Sequence, residues 1–96
     1  NPVVVLTSDR TFSAGEELAY NLQALGRARL IGEATRGGAN PGREHRVTAH
    51  LSIFVPEGEA ISAITGRNWN WTGVLPDERM KSADALERAV QLLASA

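Results

Sequence analysis

Pro2-Val3-Val4-Val5-Leu6-Thr7 is an unbroken apolar run rich in β-branched residues, and no other segment constrains the fold as much. A run without polar alternation suits a strand covered on both faces, as in parallel sheets. Parallel strands need a crossover, and the following residues supply one. Ser8-Asp9-Arg10-Thr11 reads as a short polar loop. Ser13 and Glu16 then stand at capping-box spacing. Ala14, Leu18, Leu22 and Leu25 recur on one helical face, which is expected to be the buried one. Gly26 suits the left-handed position just past a helix. Arg29-Leu30-Ile31-Gly32 is the next short strand. Strand, helix and strand form a βαβ unit, with parallel strands and a right-handed crossover expected.

From Glu33 the texture changes. Thr35-Arg36-Gly37-Gly38-Ala39-Asn40-Pro41-Gly42 is a glycine-rich loop, too long for a simple turn. Val47, Ala49, Leu51, Ile53 and Val55 alternate with other side chains, which predicts extended structure broken near His50-Leu51 into two strands. Glu59 to Ile64 reads as another short extended piece. Thr65 to Gly73 is a polar loop carrying both tryptophans, and Gly73-Val74-Leu75-Pro76-Asp77 is a compact turn. A last helix is expected to start with Ser82 as N-cap and Asp84 in its first turn, with Leu86, Val90 and Leu93 as its buried stripe. No internal repeat or low-complexity tract is present.

The chain has 96 residues, 43% of them hydrophobic, which suits one small unit with a marginal core. Two Trp, two Phe and one Tyr leave the core to Val, Leu, Ile and Ala. The net charge of -1, with mixed signs, gives no footprint for nucleic acid or anionic membranes. The absence of cysteine excludes disulfides and thiolate metal sites. No apolar run approaches the roughly 20 residues of a membrane span. The chain opens at Asn1 without Met, and is expected to be a piece whose signal peptide, if any, lies outside it.

Thr11-Phe12-Ser13-Ala14-Gly15-Glu16 resembles the nucleophile segment of the S41-type serine peptidases, the tail-specific, C-terminal-processing and tricorn-core group. Ile31-Gly32-Glu33-Ala34-Thr35 resembles that family's Gly-Glu-x-Thr loop, and Gly73-Val74-Leu75-Pro76-Asp77 its late Gly-Val-x-Pro-Asp turn. The likeness is nearest to the branch shared with interphotoreceptor retinoid-binding protein modules. It implies an α/β, crotonase-like fold, with residues 1–96 as the C-terminal portion of one peptidase domain. It also implies peptide or unfolded-protein substrates and favours an extracytoplasmic setting. The alternative it carries is a non-catalytic module binding retinoid or another lipid.

On local grounds Ser13 is a helix cap; the resemblance marks it as a nucleophile. A helix N-terminus favours negative charge, and an oxyanion needs fixed donors, for which the Ala14 amide is well placed. Two departures from the family stand out. The lysine that serves as base in tail-specific peptidases aligns with Gly38, which cannot take a proton. Tricorn-core relatives use a histidine from an earlier segment instead, and such a histidine would lie before Asn1. Asn70 stands where that branch often has a glutamate, so it can hold a hydrogen bond but cannot stabilise an imidazolium by charge.

The other polar residues have simpler readings. His45 and His50 are strand residues on opposite faces, a poor metal pair. Glu16 and Glu17 read as a cap partner and a solvated charge. Asp77 is expected to brace its own turn. Trp69 and Trp71 share a face if extended, lining a groove or covering the core edge. Lys81 is a surface residue. No cofactor or metal is expected. The open strand edges of a βαβ core invite homo-oligomers.

Overall fold

The computed structural model describes residues 1–62 and 64–95. The expected βαβ unit is present: β1 (Val4–Thr7), α1 (Ala14–Ala24) and β2 (Arg29–Gly32), with β1 and β2 parallel and Val5 opposite Leu30. β3 (Gly42–Thr48) and β4 (Leu51–Pro56) form the expected broken pair, an antiparallel hairpin with an irregularity between Arg46 and Thr48. A two-residue β5 (Glu78–Arg79) joins β2 in parallel, giving the order β1-β2-β5. α2 (Ser82–Ala94) closes the chain, with Lys81 rather than Ser82 at the cap position. The protein is thus a mixed α/β unit.

β2 explains how the sheet is covered. Successive strand residues point to opposite faces. Leu30 joins Ala19, Trp69 and Val74 in a core on the α1 side, whereas Ile31 joins Ala85 and Ala89 under α2. The apolar run at β1 is less deeply covered than its composition suggests, since Leu6 is exposed.

Both helices bury a different face from the one their leucines mark. On α1, Leu18 and Leu25 are exposed, and Ala19 and Glu16 are buried. On α2, Leu86, Val90 and Leu93 are exposed, and Ala85 and Ala89 are buried. A polar anchor sets each rotation. Glu16 is bonded inward and Gln23 reaches the Leu75 carbonyl, so the 16/19/20/23 face meets the core. Arg88 bonds Glu78 on β5, so the 85/88/89/92 face of α2 meets the sheet. Alanines at the contact let each helix axis approach closely; of the predicted α1 stripe only Leu22 is half-buried.

Further expectations are corrected. Glu59 to Ser62 form no strand; Ala63, within the same expected piece, lies outside the described residues. Trp69 is buried at 4% exposure and Trp71 is 90% exposed, so the two do not share a surface. The positive φ of 71° at Trp71 breaks the extended geometry that sharing would need. Asp77 does not brace its own turn. Its carboxylate accepts from the Leu30 N–H at 2.7 Å, and its own N–H donates to the Leu30 carbonyl at 2.8 Å. This pair stitches the Gly73–Asp77 turn to the central strand.

Candidate active site

Three positions singled out in the sequence, Ser13, Gly38 and Asn70, line one cavity of about 660 Å³. Its apolar wall includes Phe12, Phe54 and Trp71. Ser13 and Ala14 also line a neighbouring cavity of about 480 Å³. Lys81 does not line either; it borders a separate depression with Asp9 and Glu33. His45 and His50 lie on the exposed hairpin, where His45 sits 3.6 Å from the Glu57 carboxylate. Among the described residues no group of His, Asp and Glu has metal-site geometry.

Ser13 is exposed at the junction between the loop and α1. Its φ is 54° and its ψ -115°, a conformation serine rarely adopts. Such strain persists only where neighbours enforce it. The Ser13 N–H donates to Glu16 Oε2 at 2.8 Å, which is the glutamate half of the capping box. The first-turn amides are free by construction in any helix. Here the Gly15 N–H is taken by the Phe12 carbonyl and the Glu17 N–H by the Ser13 carbonyl.

The residue that sequence reading undervalued is Glu16. It does pair with the cap, but its side chain is fully buried, at 0% exposure. Thr35 Oγ1 donates to Oε1 at 2.6 Å, the Gly37 N–H donates to the same oxygen, and the Gly38 N–H donates to Oε2 at 2.9 Å. Burial pushes this carboxyl up, but the bonds from Thr35, Gly37, Gly38 and Ser13 outweigh it and hold the group below the usual carboxylate range. Ser-x-x-Glu spacing marked the contact with Ser13. Nothing local marked the contacts across 19 to 22 residues. Glu17, as expected, is exposed.

The cavity wall is held by further bonds. Trp69 Nε1 donates to the Gly38 carbonyl at 3.0 Å. Asn70 Oδ1 accepts from the Ala39 N–H at 3.1 Å, so this side chain pins the glycine loop. Phe12 lies against Gly38, in the space a side chain there would enter, with the Arg36 guanidinium 5.5 Å from its ring centre.

These features define an α/β protein with an exposed, conformationally strained serine between a parallel strand and a helix, at the edge of a cavity. Residues 1–80 match peptidase family S41, and the chain belongs to that family. It resembles the solved photosystem II D1 C-terminal processing protease, with 28% identity, a TM-score of 0.70, and coverage of 85% of this chain and 21% of that one. It also resembles mature CPAF complexed with lactacystin, with 18% identity and a TM-score of 0.82 over 98% of this chain and 20% of that one, a likeness of fold. The chain therefore spans about a fifth of the length of these solved relatives.

Proposed function

We propose that residues 1–96 are the C-terminal portion of one serine-peptidase domain of crotonase-like fold, of the tail-specific or tricorn-core kind, with Ser13 as nucleophile. The observation that carries this reading is the Ser13 backbone, strained at φ 54° and placed on the cavity rim. A backbone outlier on a cavity rim points to a functional role. Membership of the S41 family supports the same chemistry.

In this reading Ser13 Oγ attacks the carbonyl carbon of a peptide bond, and its proton passes to a general base. The carbonyl oxygen becomes an oxyanion held by the Ala14 N–H at the positive end of α1. The C–N bond breaks, the departing amine takes the proton, and water then hydrolyses the acyl-serine. Gly38 has no side chain to act as base. The base comes from a segment outside this chain, in the manner of the tricorn-core histidine. Asn70 stands at the glutamate position and contributes by holding the Gly38-Ala39 wall rather than by charge. The substrates are extended peptide or unfolded-protein segments.

A fluorophosphonate probe applied to the intact protein is expected to label Ser13, and Ser13→Ala to abolish labelling. A folded, unlabelled wild type would sink the proposal. The aromatic lining of the cavity, with Phe12, Phe54 and Trp71, favours one second reading, a lipid-binding module. That reading predicts lipid binding unchanged in Ser13→Ala, together with no labelling.

A further inference from the structure

Glu16 takes no part in the bond-making steps above, yet it is the one fully buried charged side chain among the described residues. Capping alone does not require this. A cap partner works at the surface, whereas a carboxylate taken out of water is costly unless several donors replace the water. Glu16 has four donors, and they come from separate segments: Ser13 at the start of α1, Thr35 after β2, and Gly37 and Gly38 in the cavity wall. The division between its oxygens is specific. Oε2 alone bridges Ser13 at 2.8 Å and Gly38 at 2.9 Å. Oε1 holds Thr35, whose hydroxyl oxygen in turn accepts from the Val74 N–H at 2.6 Å. One atom therefore ties the serine to the wall facing it, and the other ties both to the Gly73–Asp77 turn.

We propose that Glu16 is the positioning residue of this site. Its carboxylate holds the strained Ser13 peptide and the Gly37-Gly38 wall in one frame, so that the hydroxyl and the cavity keep a fixed separation. The inference rests on Ser13 being the nucleophile. Glutamine at 16 has the right shape but only one acceptor oxygen, so its NH₂ would face two N–H donors on one side of the carboxylate site. The serine or the wall would then lose its anchor. A displacement of about 1 Å at a reacting atom costs on the order of a hundredfold in rate.

The test combines the fluorophosphonate labelling rate with amide hydrogen exchange on the intact protein. Glu16→Gln is expected to label Ser13 roughly a hundredfold more slowly than wild type. Exchange should accelerate at the Ser13, Gly37 and Gly38 amides and stay unchanged in α2. Equal labelling and equal exchange would overturn the positioning role while leaving Ser13 as nucleophile. A wild type that never labels, with exchange still accelerated in Glu16→Gln, would remove the nucleophile and retain the frame. Should Glu16→Gln fail to fold, the Thr35 pair decides. Thr35→Val should slow labelling and Thr35→Ser, which keeps the hydroxyl, should restore it; equal rates in both overturn the inference.

Discussion

Gly37 and Gly38 are adjacent in the cavity wall, but a methyl group added to each meets a different obstacle. At Gly38 a Cβ would fall 2.6 Å from Phe12 Cζ, with the rest of the ring edge also in its way. Phe12 is exposed and can swing aside. Its departure forfeits the Arg36 contact, about 0.5–1 kcal/mol at an exposed site. A strained new rotamer adds about 0.5–1.5 kcal/mol at most. The lower entropy of the unfolded chain returns about 0.4–1 kcal/mol, since Gly38 lies outside the left-handed region. Gly38→Ala should therefore cost between about zero and 2 kcal/mol. At Gly37 the φ is 95°, and a Cβ would lie 2.9 Å from both the carbonyl carbon and the oxygen of Trp71. The dihedral alone costs about 1–3 kcal/mol, and backbone cannot step aside as a ring does. Gly37→Ala should thus cost at least about 2 kcal/mol. Equilibrium urea unfolding of the two variants gives the comparison directly. Equal penalties, or a larger one at Gly38, would refute the reasoning that a movable ring fills that space. By the same argument Gly38→Lys should fold, which opens the missing lysine position to direct substitution.

Two further outcomes follow from bonds already described. Asp77→Ala leaves the Leu30 N–H without its carboxylate partner and should destabilise the protein by about 1–3 kcal/mol in urea unfolding; an unchanged midpoint would mean the turn is not stitched to β2 as drawn. The Glu16 carboxyl is held below its ordinary value in the fold. Its contribution is therefore complete above the unfolded value of about 4.3 and is lost as pH falls through the lower folded value. Glu78, lowered by its bonds to Arg88 and Arg29, acts in the same direction at the surface. Wild type should lose more stability than Glu16→Gln between neutral pH and about pH 3, and parallel losses would remove Glu16 from the acid response.

The βαβ unit, the hairpin and the last helix were legible because their signals are local: an apolar run, a change to period two, a helical repeat. The family was legible in three short motifs for the same reason. The faces of the helices were not. Leucine spacing marks an apolar stripe, but what turns each helix is a polar bond to a distant residue, Glu16 to Thr35 on α1 and Arg88 to Glu78 on α2. Asp77 misled in the same way, since aspartate in a turn ordinarily serves that turn. β5 was missed because two charged residues carry no strand signal; Asp77 pairing with Leu30 places them there. Ser13, Gly38 and Asn70 were each legible singly, and their meeting at one cavity required the fold.

The bonds around Glu16 share one further property, the direction of their protons. Thr35 has a single hydroxyl proton and gives it to Glu16, so the Val74 N–H must point at the hydroxyl's lone pair. The Ser13, Gly37 and Gly38 amides also point inward. Every partner is a donor, and a neutral carboxylic acid at this spot would bring a proton with nowhere to place it. The shell is in effect an anion receptor made of three backbone amides and one hydroxyl, with its guest attached to the helix it organises. Receptors of this kind select for charge before shape, which makes the ion, more than the side chain that carries it, the element of this site that the surrounding loops are built to hold.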